Sequence, residues 1–457
     1  MTMPKSCSIA ISHIGLCTPI GHTPESVLAN LLTGNTDAMV LRDDLMFNAT
    51  TRVGAINDTD LLTIPDELQQ YNCRNNRLLF TAASQLSSNI EQAKSVFGND
   101  RIGVVLGTST SGISKGEAAL EYHEQHGQFP PSYHYAQQEL GSTSDFLRKL
   151  YGLNGPCYTV STACSSSTKV FASAQRLLKA NLCDVVIVGG VDSLCQLTLN
   201  GFNSLESVSK GLCNPFSENR DGINIGEGAA LFMLQLSSPS SNTNTNTDTD
   251  TDTDTDKLLA EKQPEAKHPE VLLAGIGESS DAHHISAPHP QGLGAIAAMK
   301  AALNDAELTA SQVSYVNLHG TATPKNDAME SIAMHQVFAE QTATNSANYD
   351  STEYDSTKYD PTKSIPLCSS TKPLTGHCLG AAGAIEAAFC YLLLSSYNRE
   401  QLLPPQVWDK QQDPNNPVLP LVTPTQSTSL NYIMSNSFAF GGSNASIIFA
   451  KAGNQDV

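Results

Sequence analysis

The sequence predicts an α/β chain made of two similarly built halves, and three observations lead there. Short apolar runs recur with the length and composition of buried strands, among them residues 102–107 and 185–190. Segments with helical periodicity alternate with them, the pattern of strands joined by crossover helices. A tract of Thr-Asn and then Thr-Asp dipeptides at 243–256 parts the chain into two stretches with this same alternation.

Taken in order, residues 8–15 read as a first strand and turn, followed by the strand at 102–107. Residues 157–160 are a short β-rich run, and 167–181 carry helical spacing through Val170, Ala174, Leu177 and Leu178. The strand at 185–190 follows, which gives an N-terminal half over 1–236. Low-complexity sequence occupies 237–268 and again 342–363, where Tyr-Asp-Ser-Thr nearly repeats. Neither segment can bury enough apolar surface to offset its ordering entropy, so both are expected to be surface insertions. The C-terminal half, 269–457, has apolar strands at 271–276, 313–318 and 445–449 and helical segments at 293–303, 327–338 and 381–394.

Composition narrows the function. No run of about 18 apolar residues is present, which argues against a membrane-spanning helix. A formal net charge of -19 disfavours nucleic acid as a partner, because phosphate binding needs clustered Lys and Arg. Eleven cysteines without regular spacing or a secretory leader predict reduced thiols in the cytoplasm, and no CxxC pair suggests a metal site. Cys157, Cys183, Cys195, Cys378 and Cys390 read as packing residues.

Cys164, in the segment TACSSS, sits where the strand at 157–160 hands over to a helix. In a helix's first turn, unpaired N–H groups and the positive end of the dipole favour a thiolate nucleophile. That address alone suits a protease, a thiolase or a packed thiol. Three segments of the second half could complete a site. HGTAT places His319 directly after the strand ending at Leu318, where α/β folds carry their chemistry. KPLTGH brings Lys372 and His377 to the start of another helix, and NSFAFGGSN supplies a glycine-rich loop whose backbone can approach a ligand. The Arg220-Asp221 pair is expected to be a salt link bracing the site.

Together and in this order, TACSSS, NPFSENRDG, IGEGAA, HGTATPKND, STKPLTGHCLGAAG and NSFAFGGSN resemble the β-ketoacyl-acyl-carrier-protein synthases of the thiolase superfamily, over nearly the whole chain. The Cys-His-His set is that of the elongating type. Segments 74–77, 134–141, 200–207 and 280–288 resemble the ketosynthases of aryl polyene clusters in particular. The resemblance implies a thiolase-like fold, two pseudo-repeated βαβ halves in a five-layered αβαβα core. It implies decarboxylative Claisen condensation without cofactor or metal. Cys164 would carry the acyl group, and the N–H groups of Cys164 and Phe440 would form the oxyanion hole. His319 and His377 would hold the enolate, with Lys372 tuning the tautomer of His377. Glu386 and Asp327 would support them, Phe440 would gate access, and Thr110 and Phe202 would line the acyl pocket.

Two departures from the family bear on the gate: Ala439 and Ala322 stand where it carries glycine. The implied partners are an acyl carrier protein bearing acyl and malonyl groups, and a second subunit, either a copy of this chain or a chain-length-factor-like homologue. Lys115, Lys169, Arg176, Lys179 and Lys210 are candidates for a carrier-binding patch on this acidic protein. Fatty acid or polyketide elongation, a non-catalytic chain-length factor and a degradative thiolase are the alternatives. Retention of Cys164, His319, Lys372 and His377 argues against the non-catalytic one.

Overall fold

The computed structural model describes residues 8–237, 269–339, 364–422 and 426–453. Apart from Ser237, the two low-complexity segments lie outside the described residues. In the N-terminal half the strands are β1 (Ile9–Cys17), β2 (Met39–Arg42), β3 (Thr51–Gly54), β4 (Ile102–Gly107), β5 (Cys157–Val160), β6 (Val185–Asp192), β7 (Ile225–Gly226) and β8 (Gly228–Leu236). Its helices are α1 (Pro24–Thr33), α2 (Arg74–Ser84), α3 (Ser87–Phe97), α4 (Ile113–His126), α5 (Ser142–Tyr151), α6 (Ser166–Lys179) and α7 (Gln196–Ser204). The C-terminal half has β9 (Val271–Ser280), β10 (Tyr315–Asn317), β11 (Leu367–Ser369), β12 (Tyr432–Phe438) and β13 (Ser443–Lys451). Its helices are α8 (Leu293–Asp305), α9 (Pro324–Phe338), α10 (Lys372–Thr375) and α11 (Ala382–Leu394).

Among the described residues the main sheet has ten strands in the order β11-β10-β12-β13-β9-β1-β8-β6-β4-β5. It divides at the short antiparallel seam where Ile9 to Ile11 pair with Leu273 to Val271. On each side the strand order is the same when counted along the chain: third, second, fourth, fifth, first. The three outer strands of each half, β4 to β6 and β10 to β12, pair in parallel, while β8 and β13 return antiparallel.

Strand faces explain the layers. Val105 points into a central core with Phe171, Phe232, Phe389 and Phe449, whereas its neighbours Val104 and Leu106 point to an outer core with Leu78, Leu79 and Phe146. A strand buried on both faces cannot alternate polar and apolar residues, hence the continuous apolar runs. The C-terminal half has its own outer core of α8 and α9 residues, including Met299, Met329 and Met334. Helices α6 and α11 lie between the half-sheets: α6 touches β4 and β6 on one side and β9 and β13 on the other. Phe171 of α6 stacks edge-on against Phe232 and Phe449, one from each half. The result is the five-layered α/β arrangement expected.

Boundaries moved where local chemistry overrode pattern. The strand expected at 313–318 shortens to Tyr315–Asn317, and α9 begins three residues early, with Thr323 at its cap and Pro324 at its first position. No described helix is long and apolar enough to cross a membrane.

Candidate active site

Cys164 stands on a tight elbow between β5 and α6. Ala163 takes a left-handed backbone, φ 54°, which costs a non-glycine residue roughly 1–2 kcal/mol. Serine side chains hold the turn in place: Ser166 Oγ donates to Ala163 O at 2.6 Å and accepts from Thr162 N at 2.8 Å. The helix start lies against the sheet because Gly107 and Gly190 have no side chains; a Cβ on either would come within 2.5 Å of Ser167. Ser165 is the cap residue and α6 begins at Ser166, so Cys164 precedes the helix and is not in its first turn as expected.

The expectation of a favoured thiolate is also corrected. Cys164 is 6% exposed, and burial pushes its thiol up to about 11. The Lys372 charge and the N–H groups of Phe440 and Cys164, directed at the sulfur, pull the other way without prevailing.

Two imidazoles converge on this sulfur. His377 follows α10, where its N–H donates to Asn224 O at 2.7 Å and its carbonyl accepts from Gly226 N at 3.1 Å, locking the loop to β7. Its Nε2 lies 3.0 Å from Cys164 Sγ. His319 emerges just past β10, and its ring stands edge-on to that of His377 with centroids 5.4 Å apart. Donor atoms of all three side chains lie within 4.8 Å of one another. Burial, and then the Lys372 charge, pushes both histidines well below the usual imidazole range, and for His319 the His377 ring adds to this. Both rings are therefore neutral near pH 7.

These residues close the floor of a cavity of about 270 Å³. Phe440 and Phe202 face each other across it with ring centroids 5.6 Å apart. Thr110 does not line this cavity; its hydroxyl donates to Asp192 at 2.8 Å. In the Phe440 loop the left-handed positions are Gly441 and Gly442, at φ 81° and 76°. Ala439 has an ordinary extended backbone, φ -100° and ψ 152°, so in this conformation the alanine imposes no strain.

The family model for the beta-ketoacyl synthase N-terminal domain matches residues 7–239, and that for the beta-ketoacyl synthase C-terminal domain matches 271–407. The chain belongs to the β-ketoacyl synthase family. The 3-oxoacyl-[acyl-carrier-protein] synthase 2 of Vibrio harveyi is 27% identical over 458 residues, covering 97% of this chain and 98% of the relative. The mitochondrial 3-oxoacyl-[acyl-carrier-protein] synthase of Arabidopsis thaliana is 33% identical over 323 residues, 68% of this chain and 60% of the relative. Among solved structures, the ketosynthase ApeO, in complex with its chain length factor ApeC from Xenorhabdus doucetiae, superposes with a TM-score of 0.81 at 39% identity, covering 99% of this chain and 100% of that one. This β-ketoacyl synthase is thus a condensing enzyme of the acyltransferase class.

Around Cys164, His319 and His377 of this synthase, the other expected residues take specific places. Lys372 Nζ donates to Glu386 Oε1 at 2.6 Å, both side chains buried. Lys372 therefore acts on the histidines through its charge. The Nδ1 atoms of His319 and His377 have no hydrogen-bond partner among the described residues, so no side chain holds the tautomer by direct contact. Asp327 accepts from Phe216 N at 2.8 Å and Ala322 N at 3.2 Å, tying the NPFSENRDG and HGTATPKND loops together and holding Ala322 at φ 62°. Arg220 pairs with Asp413 at 2.6 Å and not with Asp221, which accepts from Lys210 N instead. Of the basic residues considered for the carrier, Arg176 is paired with Glu278.

Glu330 was not anticipated. Its two oxygens accept from His319 N and Gly320 N, each at 2.8 Å, and Asn436 Nδ2 approaches at 3.3 Å. Burial pushes this carboxyl up to about 7, against the pull of those N–H groups. The available signal was its spacing: three residues after Asp327 it shares a helix face with the carboxylate already singled out.

Proposed function

We propose that this chain condenses an acyl group carried on Cys164 with a malonyl group delivered by an acyl carrier protein. The observation that carries the reading is the 3.0 Å approach of Cys164 Sγ to the Nε2 of a neutral His377, beside His319 at the floor of the cavity. Sγ attacks the thioester carbonyl of the acyl carrier, the bond to the carrier sulfur breaks, and the proton of the Cys164 thiol ends on the departing carrier thiol. The N–H groups of Cys164 and Phe440 receive the oxyanion. In the second half-reaction the bond between the malonyl α-carbon and its carboxylate breaks and carbon dioxide leaves. Its electron pair forms an enolate, whose oxygen takes hydrogen bonds from the Nε2–H groups of His319 and His377. The enolate carbon attacks the acyl carbonyl, and Sγ leaves as a thiolate that takes up a proton. Each preorganised donor of this kind is worth about 10²- to 10³-fold in rate. Lys325, exposed at the cavity rim, offers a positive charge where the carrier arm would enter.

The finer reading is extension of an aryl polyene in the cytoplasm, by a dimer of this chain with itself or with a chain-length-factor-like homologue. It is supported by the outer segments that resemble aryl polyene ketosynthases and by 39% identity to a ketosynthase solved with its chain length factor. The 3-oxoacyl synthase relatives favour fatty acid elongation as the second reading. Purified protein given acyl- and malonyl-carrier is expected to release carbon dioxide and yield a 3-oxoacyl carrier, and Cys164→Ala to abolish product. Condensation by Cys164→Ala at the native rate would refute the assignment. Mass spectrometry of the acyl group trapped on Cys164 separates the two readings: a polyenoyl adduct supports the first, a saturated chain the second.

A further inference from the structure

Asp192, the last residue of β6, is wholly buried and lies at the meeting point of three segments. Its Oδ1 accepts from Thr108 Oγ1 at 2.7 Å, Ser109 N at 2.8 Å, Thr110 N at 2.7 Å and Thr110 Oγ1 at 2.8 Å. All four donors belong to the loop leaving β4. Its Oδ2 accepts from Ala381 N at 3.0 Å, in the turn that follows His377. From the same loop, Ser109 Oγ donates to Ala163 O at 3.3 Å, next to Cys164 on the elbow. The His377 turn fits against this loop so closely that a Cβ on Gly380 would meet Ser109 Oγ at 2.6 Å and Asp192 Oδ2 at 2.8 Å.

We propose that Asp192 is a positioning residue: one carboxylate links the turn behind His377 to the loop that holds the Cys164 elbow, and so sets the separation of sulfur and imidazole. What that pair does rests on the function proposed above; its geometry does not. A carboxylate suits the position because it only accepts, and the five donors facing it leave no place for a donor of its own. Asparagine has the same shape but one acceptor oxygen. With that oxygen turned to the four donors of the β4 loop, its NH₂ opposes Ala381 N–H, and the His377 arm is released selectively. Ser109→Ala releases the Cys164 arm.

The test combines steady-state kinetics with a measurement that needs no carrier. In Asp192→Asn, kcat is expected to fall roughly 10- to 100-fold, the scale of a misplacement of about 1 Å. The KM for acyl carrier should stay within about twofold, because the rim is untouched. Independently, iodoacetamide alkylation of Cys164 is timed with and without His377→Ala; the ratio of the two rates is expected to lie several-fold from one in the native background, given the 3.0 Å contact, and to approach one in Asp192→Asn. A folded Asp192→Asn protein that keeps both the native kcat and the native ratio overturns the proposal. Should that variant fail to fold, Ser109→Ala decides: a few-fold loss of kcat with a reduced ratio supports the link, and native values in both overturn it. If the native protein shows no condensation, the proposed function fails while the alkylation ratio still rules on Asp192.

Discussion

The Cys164 sulfur is almost out of contact with water, and lost hydration penalises its anion more than Lys372 and two aimed N–H groups favour it. Alkylation by iodoacetamide should therefore keep accelerating past pH 8.5 toward about 11; a plateau reached by pH 8.5 would show a thiolate stabilised in the resting protein. The histidines shift the opposite way for the same reason, so burial leaves thiol and imidazoles all neutral. The native pH–rate profile is expected to lack an acid limb near pH 6.5. Lys372→Ala removes one of the influences that lower both histidines, so a limb should move up toward 6.5. The same variant leaves Glu386 buried without its cation, a change that typically costs about 3–5 kcal/mol. With its folded-state pKa raised above the unfolded value, that carboxyl favours the folded protein at low pH, and stability should fall as pH rises through the raised pKa. Urea titrations at several pH values measure it.

At the scale of elements, the side chains of the candidate site sit where strands end and are held from the neighbouring helix. Glu330 shows how. It projects from α9 to accept the N–H groups of His319 and Gly320 as the chain leaves β10, so the imidazole is aimed by a backbone clamp. Glu330→Gln puts an amide NH₂ against one of those N–H groups, and is expected to cost about 1–3 kcal/mol and lower kcat. The variant also removes a titration. Glu330 goes from 4.5 unfolded to about 7 folded, so its contribution to native stability diminishes between these values as pH rises. The decline should be shallower in Glu330→Gln, and an unchanged slope would mean that this carboxyl is already ionised at low pH. The elbow at Cys164 follows the same logic, with a run of serines satisfying backbone groups that a strained Ala163 leaves exposed.

At the scale of the whole molecule, two five-stranded units of equal topology enclose α6 and α11, and the candidate site draws on both: Cys164 from one, His319 and His377 from the other. Phe171 spans the interior between them, so Phe171→Ala should cost about 3–5 kcal/mol and broaden or split the unfolding transition; a loss below about 1 kcal/mol would mean that the halves do not depend on this packing. The sequence by itself determined the α/β alternation, the main buried strands and helices, and the motifs around Cys164, His319 and His377, because strand and helix periods and short motifs are properties of neighbours along the chain. Cys164, His319, His377, Lys372 and Phe440 were singled out from those motifs, and the fold brings Cys164, His319, His377 and Phe440 to one cavity. Only the tertiary structure decided the burial of those groups, the pairing of Arg220 with Asp413, and the hydrogen bonds that Glu330 and Asp192 accept. Desolvation and hydrogen bonding across the fold, from 11 residues apart for Glu330 and His319 to 189 for Asp192 and Ala381, depend on what surrounds a side chain in space, which strand and helix periods do not record.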